Sequence, residues 1–136
     1  MLLGLVLAFA MQNAPAKPVE TIVTDTMSQV ESPMQAVART PAEWAALWRK
    51  HAGDAALPEV DFASRTVVAV FMGMKTSAGY AVEITGTRHE KGATIVEYRE
   101  RRPERGQVTA QVLTSPAHIA AIPKVTGDIR FEKVER

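Results

Sequence analysis

RTVVAVFMGMKTSAGYAVEI, residues 65–84, is the stretch that decides the fold class. Val67, Val68, Ala69, Val70, Phe71 and Met72 form an unbroken apolar run rich in β-branched residues. That pattern suits a strand covered on both faces and argues against a short buried helix. Lys75-Thr76-Ser77-Ala78-Gly79 is polar and small, hence a loop. Beyond it Tyr80, Val82 and Ile84 alternate with Ala81, Glu83 and Thr85, the period of a half-buried strand. Strand, tight loop, strand predicts the centre of a β-rich domain.

Working outward, Thr40-Pro41-Ala42-Glu43 has the form of a capping box with proline at the first helical position. The helix it opens runs to about Ala52, and Gly53 supplies a stop. Trp44, Leu47, Trp48 and His51 fall on one face of it, a stripe that must be buried. Before the helix, strands are expected near residues 19–30 and at residues 34–39. After residue 84 a hairpin turn is expected at residues 88–92, and a strand at residues 93–99. Further strands are expected around Val108, Ala110 and Val112, then at residues 118–122, and last from Ile129 to Val134. Short strands at this spacing with turn residues between them predict an α+β fold. It is mostly antiparallel sheet, a sandwich or a partly closed barrel, with one amphipathic helix packed on it.

The 136 residues suit a single domain, and hydrophobic content of 46% with charged content of 23% is that of a folded globular chain. A net charge of +1 gives no general field for nucleic acid or an anionic membrane. The absence of cysteine removes disulfides, thiolate nucleophiles and Cys-type zinc sites together. Residues 2–10, LLGLVLAFA, are too short to span a bilayer but fit the apolar region of a secretory signal. Ala8-Phe9-Ala10 and Ala14-Pro15-Ala16 both have the small-x-small form of a cleavage site. No Lys or Arg precedes Leu2, so a start further upstream is needed for a basic leader, and a buried N-terminal element is the competing account. The expected organisation is a signal-like segment and linker over residues 1–16 and one β-rich domain over residues 17–136, in a protein exported to the periplasm, envelope or medium.

Catalytic constellations are hard to assemble. No G-x-S-x-G elbow, H-E-x-x-H helix, calcium loop or phosphate cradle is present. His51 lies on the apolar stripe, His89 in a charged turn, and His118 three residues after Ser115. A Ser115–His118 pair on extended chain is the one nucleophile–base arrangement to test. No metal and no cofactor is expected. What remains is three polar loops, residues 75–79, 102–106 and 114–118. Loops clustered on a rigid β scaffold are a common way to present a binding surface.

EWAALW in the helix, VDF before the central strand, the 65–84 stretch, RPERG and LTSPAHIAAIPK together resemble the PrcB family, over roughly residues 40–131. Two positions depart from the family pattern: Ser77-Ala78-Gly79-Tyr80 stands where T-G-G-Y is usual, and Ala117 replaces the aromatic of S-P-Y-H. The resemblance implies an exported, non-catalytic protein-binding domain, on the pattern of a subunit that stabilises a secreted or envelope protease. The expected partner is a protein, a protease or its assembly subunit, with no nucleic acid and no membrane span in the mature chain. The candidate binding residues are Lys75, Thr76, Gly79, Tyr80, Arg102, Pro103, Ser115, Pro116, His118 and Lys124. A weaker likeness links residues 76–80 and Arg102-Pro103 to two loops of chagasin-type inhibitors of cysteine proteases, which gives inhibition as an alternative. A small hydrolase using His118 is the other.

Overall fold

The structure, a computed structural model, describes residues 18–135. The signal-like segment at residues 2–10 and both cleavage motifs lie outside the described residues. The elements in order are β1 (Glu20–Asp25), β2 (Met34–Ala38), α1 (Pro41–Ala52), β3 (Arg65–Phe71), β4 (Ala81–Glu90), β5 (Ala93–Arg101), β6 (Ala117–Pro123) and β7 (Asp128–Lys133). They form a four-stranded sheet of order β1-β6-β3-β2, antiparallel throughout, and a three-stranded sheet of order β4-β5-β7. β4 and β5 are an antiparallel hairpin, whereas β7 lies parallel to β5. The sheets stay separate, so the expected α+β architecture holds in its sandwich form and the barrel alternative falls away.

Residues 67–72 explain the layering. Val67, Ala69 and Phe71 pack with the helix tryptophans, while Val68, Val70 and Met72 pack against β4 and β5. The alternation of a pleated strand thus feeds two separate cores from one apolar run. β6 does the same, giving Ala117 and Ile119 to the helix layer and Ala120 and Ile122 to the inter-sheet layer. The molecule is a helix, a central sheet and a second sheet, stacked in that order.

The helix begins as its sequence dictates. Thr40 Oγ1 accepts from the Glu43 N–H at 3.1 Å. The Glu43 carboxylate reaches back to the Arg39 N–H at 2.8 Å, one residue before the expected return to Thr40. Trp44, Leu47, Trp48 and His51 are the buried face. The indole N–H groups of Trp44 and Trp48 donate to the carbonyls of Pro58 and Ala55 at 2.8 and 2.9 Å, which ties the following loop to the helix and leaves neither indole donor unpaired.

Two local expectations need correction. The β4–β5 turn is only Lys91-Gly92, with φ of +50° and +81°, the type I′ pair that matches strand twist, so β4 extends to Glu90. Residues 107–113 are not a strand but an exposed, irregular run. Their alternating Val108, Ala110 and Val112 have no sheet face to lie on, and Val108 is 95% exposed.

Candidate functional site

Two places among the described residues are candidates for a site. The first is the end where three connections meet, those of residues 26–33 between β1 and β2, 72–80 between β3 and β4, and 102–116 between β5 and β6. Antiparallel pairing requires this: Asp25 opposes Ala117, which in turn opposes Phe71, which opposes Met34, so the strand ends align. Backbone bonds then lace the connections. The Ser28 N–H donates to the Ser115 carbonyl at 3.0 Å and the Ser115 N–H to the Thr26 carbonyl at 2.7 Å. Lys75 and Thr114 exchange both backbone bonds, at 2.7 and 2.9 Å, and the Met74 N–H donates to the Glu31 carbonyl at 2.9 Å. Gly79, at φ +100°, lies so close to Pro103 that an added Cβ would sit 2.8 Å from Pro103 Cγ.

This end carries five of the six large apolar side chains exposed among the described residues: Met27, Met74, Val108, Val112 and Leu113. The sixth, Leu57, belongs to the loop after the helix. Exposed apolar groups scattered singly are ordinary; here five of them share one end of a small domain.

The structure brings Lys75, Thr76, Gly79, Tyr80, Arg102 and Pro103 together here. Lys75 Nζ stands 5.3 Å from the centre of the Tyr80 ring, and Tyr80 is half-buried against the inter-sheet layer. Ser115 and Pro116 lie beneath this surface, both buried, and act through their backbones. Lys124 is set apart at the far end of β6, a strand of seven residues and hence about 20 Å long. There its Nζ donates to the Phe62 carbonyl at 3.2 Å.

The second place is the seam between β1 and β4, the neighbouring edges of the two sheets. An open cleft of about 220 Å³ is lined there by Thr21, Thr24, Ala81, Val82, Glu83, Arg99, Arg101 and His118. His118 is 3% exposed and bridges the sheets: its Nδ1 accepts from the Ile84 N–H at 2.8 Å and its Nε2 stands 2.9 Å from Thr21 Oγ1. A backbone N–H can only donate, so Nδ1 is the bare nitrogen and Nε2 carries the proton. Burial pushes this imidazole below its ordinary pKa, with the Glu83 charge pulling the other way. Both strands that hold it are bulged beside the contact, β1 between Thr21 and Val23 and β4 between Ile84 and Gly86, as strands next to sites often are. Ser115 makes no hydrogen bond to His118, whose two nitrogens are already engaged, so the structure does not assemble that expected nucleophile–base pair.

A different trio does come together. His51 Nδ1 lies 2.8 Å from Ser28 Oγ and its Nε2 lies 3.5 Å from Asp25 Oδ2. The residue types are those of a catalytic triad, but Ser28 is buried, its Oγ accepts from the Val30 N–H at 3.1 Å, and the trio lines none of the clefts described above. Its role is to fix the β1–β2 connection to the helix, which agrees with the placing of His51 in the core. Among the described residues no three His, Asp or Glu side chains converge as a metal site requires, and no helix is long and apolar enough to cross a membrane.

Sequence reasoning missed Thr21, Ile84, Arg99 and Arg101 at the cleft, and Ser28 with Asp25 at His51. Thr21 and His118 are 97 positions apart and no periodicity links them. The Glu83–Arg99 pair is the exception, because the hairpin register sets those residues opposite each other.

The family model described as PrcB C-terminal matches residues 66–123. The likeness read from the motifs therefore holds from the second residue of β3 to the last of β6, a shorter span than residues 40–131, with the EWAALW helix and VDF outside it. No curated protein and no solved structure matches the chain.

Proposed function

With a PrcB C-terminal segment at the centre of the chain, we propose that this protein is a non-catalytic accessory domain, exported from the cell, that binds a protease or a subunit of its assembly. The binding surface is the end where residues 26–33, 72–80 and 102–116 meet. One observation carries this: a rigid β scaffold, laced together by backbone bonds, holds Met27, Met74, Val108, Val112 and Leu113 in solvent at that end. Exposed apolar area is costly for a free monomer and is recovered when a partner covers it. The test is co-purification of the mature domain, from Lys17, with a protease secreted by the same cells, comparing the native domain with a Val108→Asp, Leu113→Asp variant. Stable capture by the native domain and its loss in an equally folded variant supports the proposal. Capture that survives both substitutions moves the partner to another face.

The close approach of Gly79 to Pro103 favours a second reading, because it sets the two loops that resemble those of a cysteine-protease inhibitor side by side. Inhibition of a papain-like protease, lost when Arg102 and Pro103 are both changed to Ala, would establish it. No inhibition by the native domain at micromolar concentration would remove it.

A further inference from the structure

The seam cleft adjoins the loop end through Ala81 and Arg101 but has its own chemistry. We propose that it binds the C-terminal carboxylate of a peptide laid along the edge of β4.

Charge comes first. The β4–β5 register places Glu83 opposite Arg99 and Ala81 opposite Arg101. Glu83 and Arg99 neutralise each other across a 2.8 Å ion pair. Arg101 faces only a methyl group and, among the described residues, has no ion-pair partner, so the cleft carries one uncompensated positive charge.

Directed hydrogen-bond donors come second. Since His118 Nε2–H donates to Thr21 Oγ1, the hydroxyl's own hydrogen must point elsewhere, and Thr21 lines the cleft. A buried, neutral histidine thus orients a surface hydroxyl as a donor. An anion with oxygen acceptors satisfies both Arg101 and Thr21, and a guanidinium is shaped to meet a carboxylate with two parallel bonds.

The strand edge identifies the rest of the ligand. The Ile84 N–H points away from β5, toward His118. Backbone direction alternates along a strand, and the pairing from Ala81 to Ile84 is regular, so the N–H and carbonyl of Val82 also point away from β5, into the cleft. Such an open edge is a template for another extended chain. A free small acid would satisfy Arg101 and Thr21 and leave Val82 unpaired, whereas a peptide terminus satisfies all three. At about 220 Å³ the cleft is smaller than the roughly 300–1,000 Å³ typical of drug-sized ligand sites, which suits one terminal residue. Beyond Val82 the edge is closed by His118, so a peptide can enter only by its end.

The test is a titration of the ¹⁵N-labelled full chain, followed by backbone amide shifts, with three probes: acetyl-Ala-Ala-Val as the free acid, the same peptide as its amide, and sodium acetate. The expected result is a saturable shift at the Val82 amide, with the free acid binding at least tenfold more tightly than the amide or acetate. In an Arg101→Gln variant of unchanged Tm, that tenfold preference is expected to vanish. Equal binding of acid and amide, or a preference that survives Arg101→Gln, would overturn the proposal. So would acetate binding as tightly as the peptide, or no shift at Val82 with any probe.

Discussion

The central sheet separates two buried layers, and each contains one histidine. On the helix side His51 sits among Trp48, Phe71, Ser28 and Asp25. On the other side His118 sits among aliphatic residues at the rim of the seam cleft. Both imidazoles are almost fully buried and both are held below the ordinary histidine pKa, first by burial, with an acid, Asp25 or Glu83, opposing it. Burial and pKa therefore do not tell them apart. What differs is the hydroxyl each one meets. Ser28 is itself satisfied by the Val30 N–H and leads nowhere, whereas Thr21 opens on the cleft. A buried histidine is a structural latch or part of a site according to what its hydrogen-bond partner does next.

If the helix layer is purely structural, Trp44→Ala should have the largest effect on stability. Trp44 is 2% exposed and packs at a tilt against Trp48, 5.5 Å between ring centres. Its removal should cost about 3–5 kcal/mol in urea unfolding. A loss under 1 kcal/mol would mean that α1 is loosely docked and the contrast between the layers is unfounded.

Ser28→Ala probes the latch directly. It leaves the Val30 N–H and His51 Nδ1 without their partner, at a cost of about 1–3 kcal/mol, and should leave the amide shifts at Thr21, Val82 and Ile84 in place. Movement of those seam resonances would show that the two histidines are coupled through the sheet.

Acid titration sharpens the comparison further. Both folded-state pKa values lie below the ordinary value of 6.5, so the unfolded chain binds the extra protons. Stability is whole above about pH 6.5 and falls as the pH drops below it, at up to about 1.4 kcal/mol per pH unit for each histidine. Urea midpoints measured from pH 7.5 to 5 should show this slope, and His118→Asn should remove part of it. A midpoint that rises on acidification would contradict the neutral, donor-oriented His118 on which the cleft's chemistry depends.

The smallest stability effect belongs to the loop end. Val108→Asp with Leu113→Asp alters only exposed side chains, so thermal unfolding should change by no more than about 0.5 kcal/mol per site while partner binding is lost. A large destabilisation would show that this patch packs within the molecule and is not a free surface.

Strong local signals were legible in the sequence. Residues 67–72 announced a strand covered on both faces, the 40–43 box and the Trp-His stripe announced the helix and its buried face, and the 65–84 and 113–124 motifs announced the family segment. The three polar loops were legible one by one, but their gathering at one end depends on which strands pair. Residues 107–113 misled, since alternating apolar residues predict a strand only when a sheet face is there to bury them.

The sequence by itself determined most of the strands, the helix, its N-terminal cap and stop, and the two-sided burial of β3. These follow from periodicity, propensity and capping, which act over a few neighbouring residues. Only the tertiary structure decided that β7 runs parallel to β5, that the sheets remain two, and that Thr21, Ile84 and His118 meet at a cleft with Arg101. Those features depend on strand register and on contacts between residues as many as 97 positions apart, where one chain's local pattern carries no record of its partner.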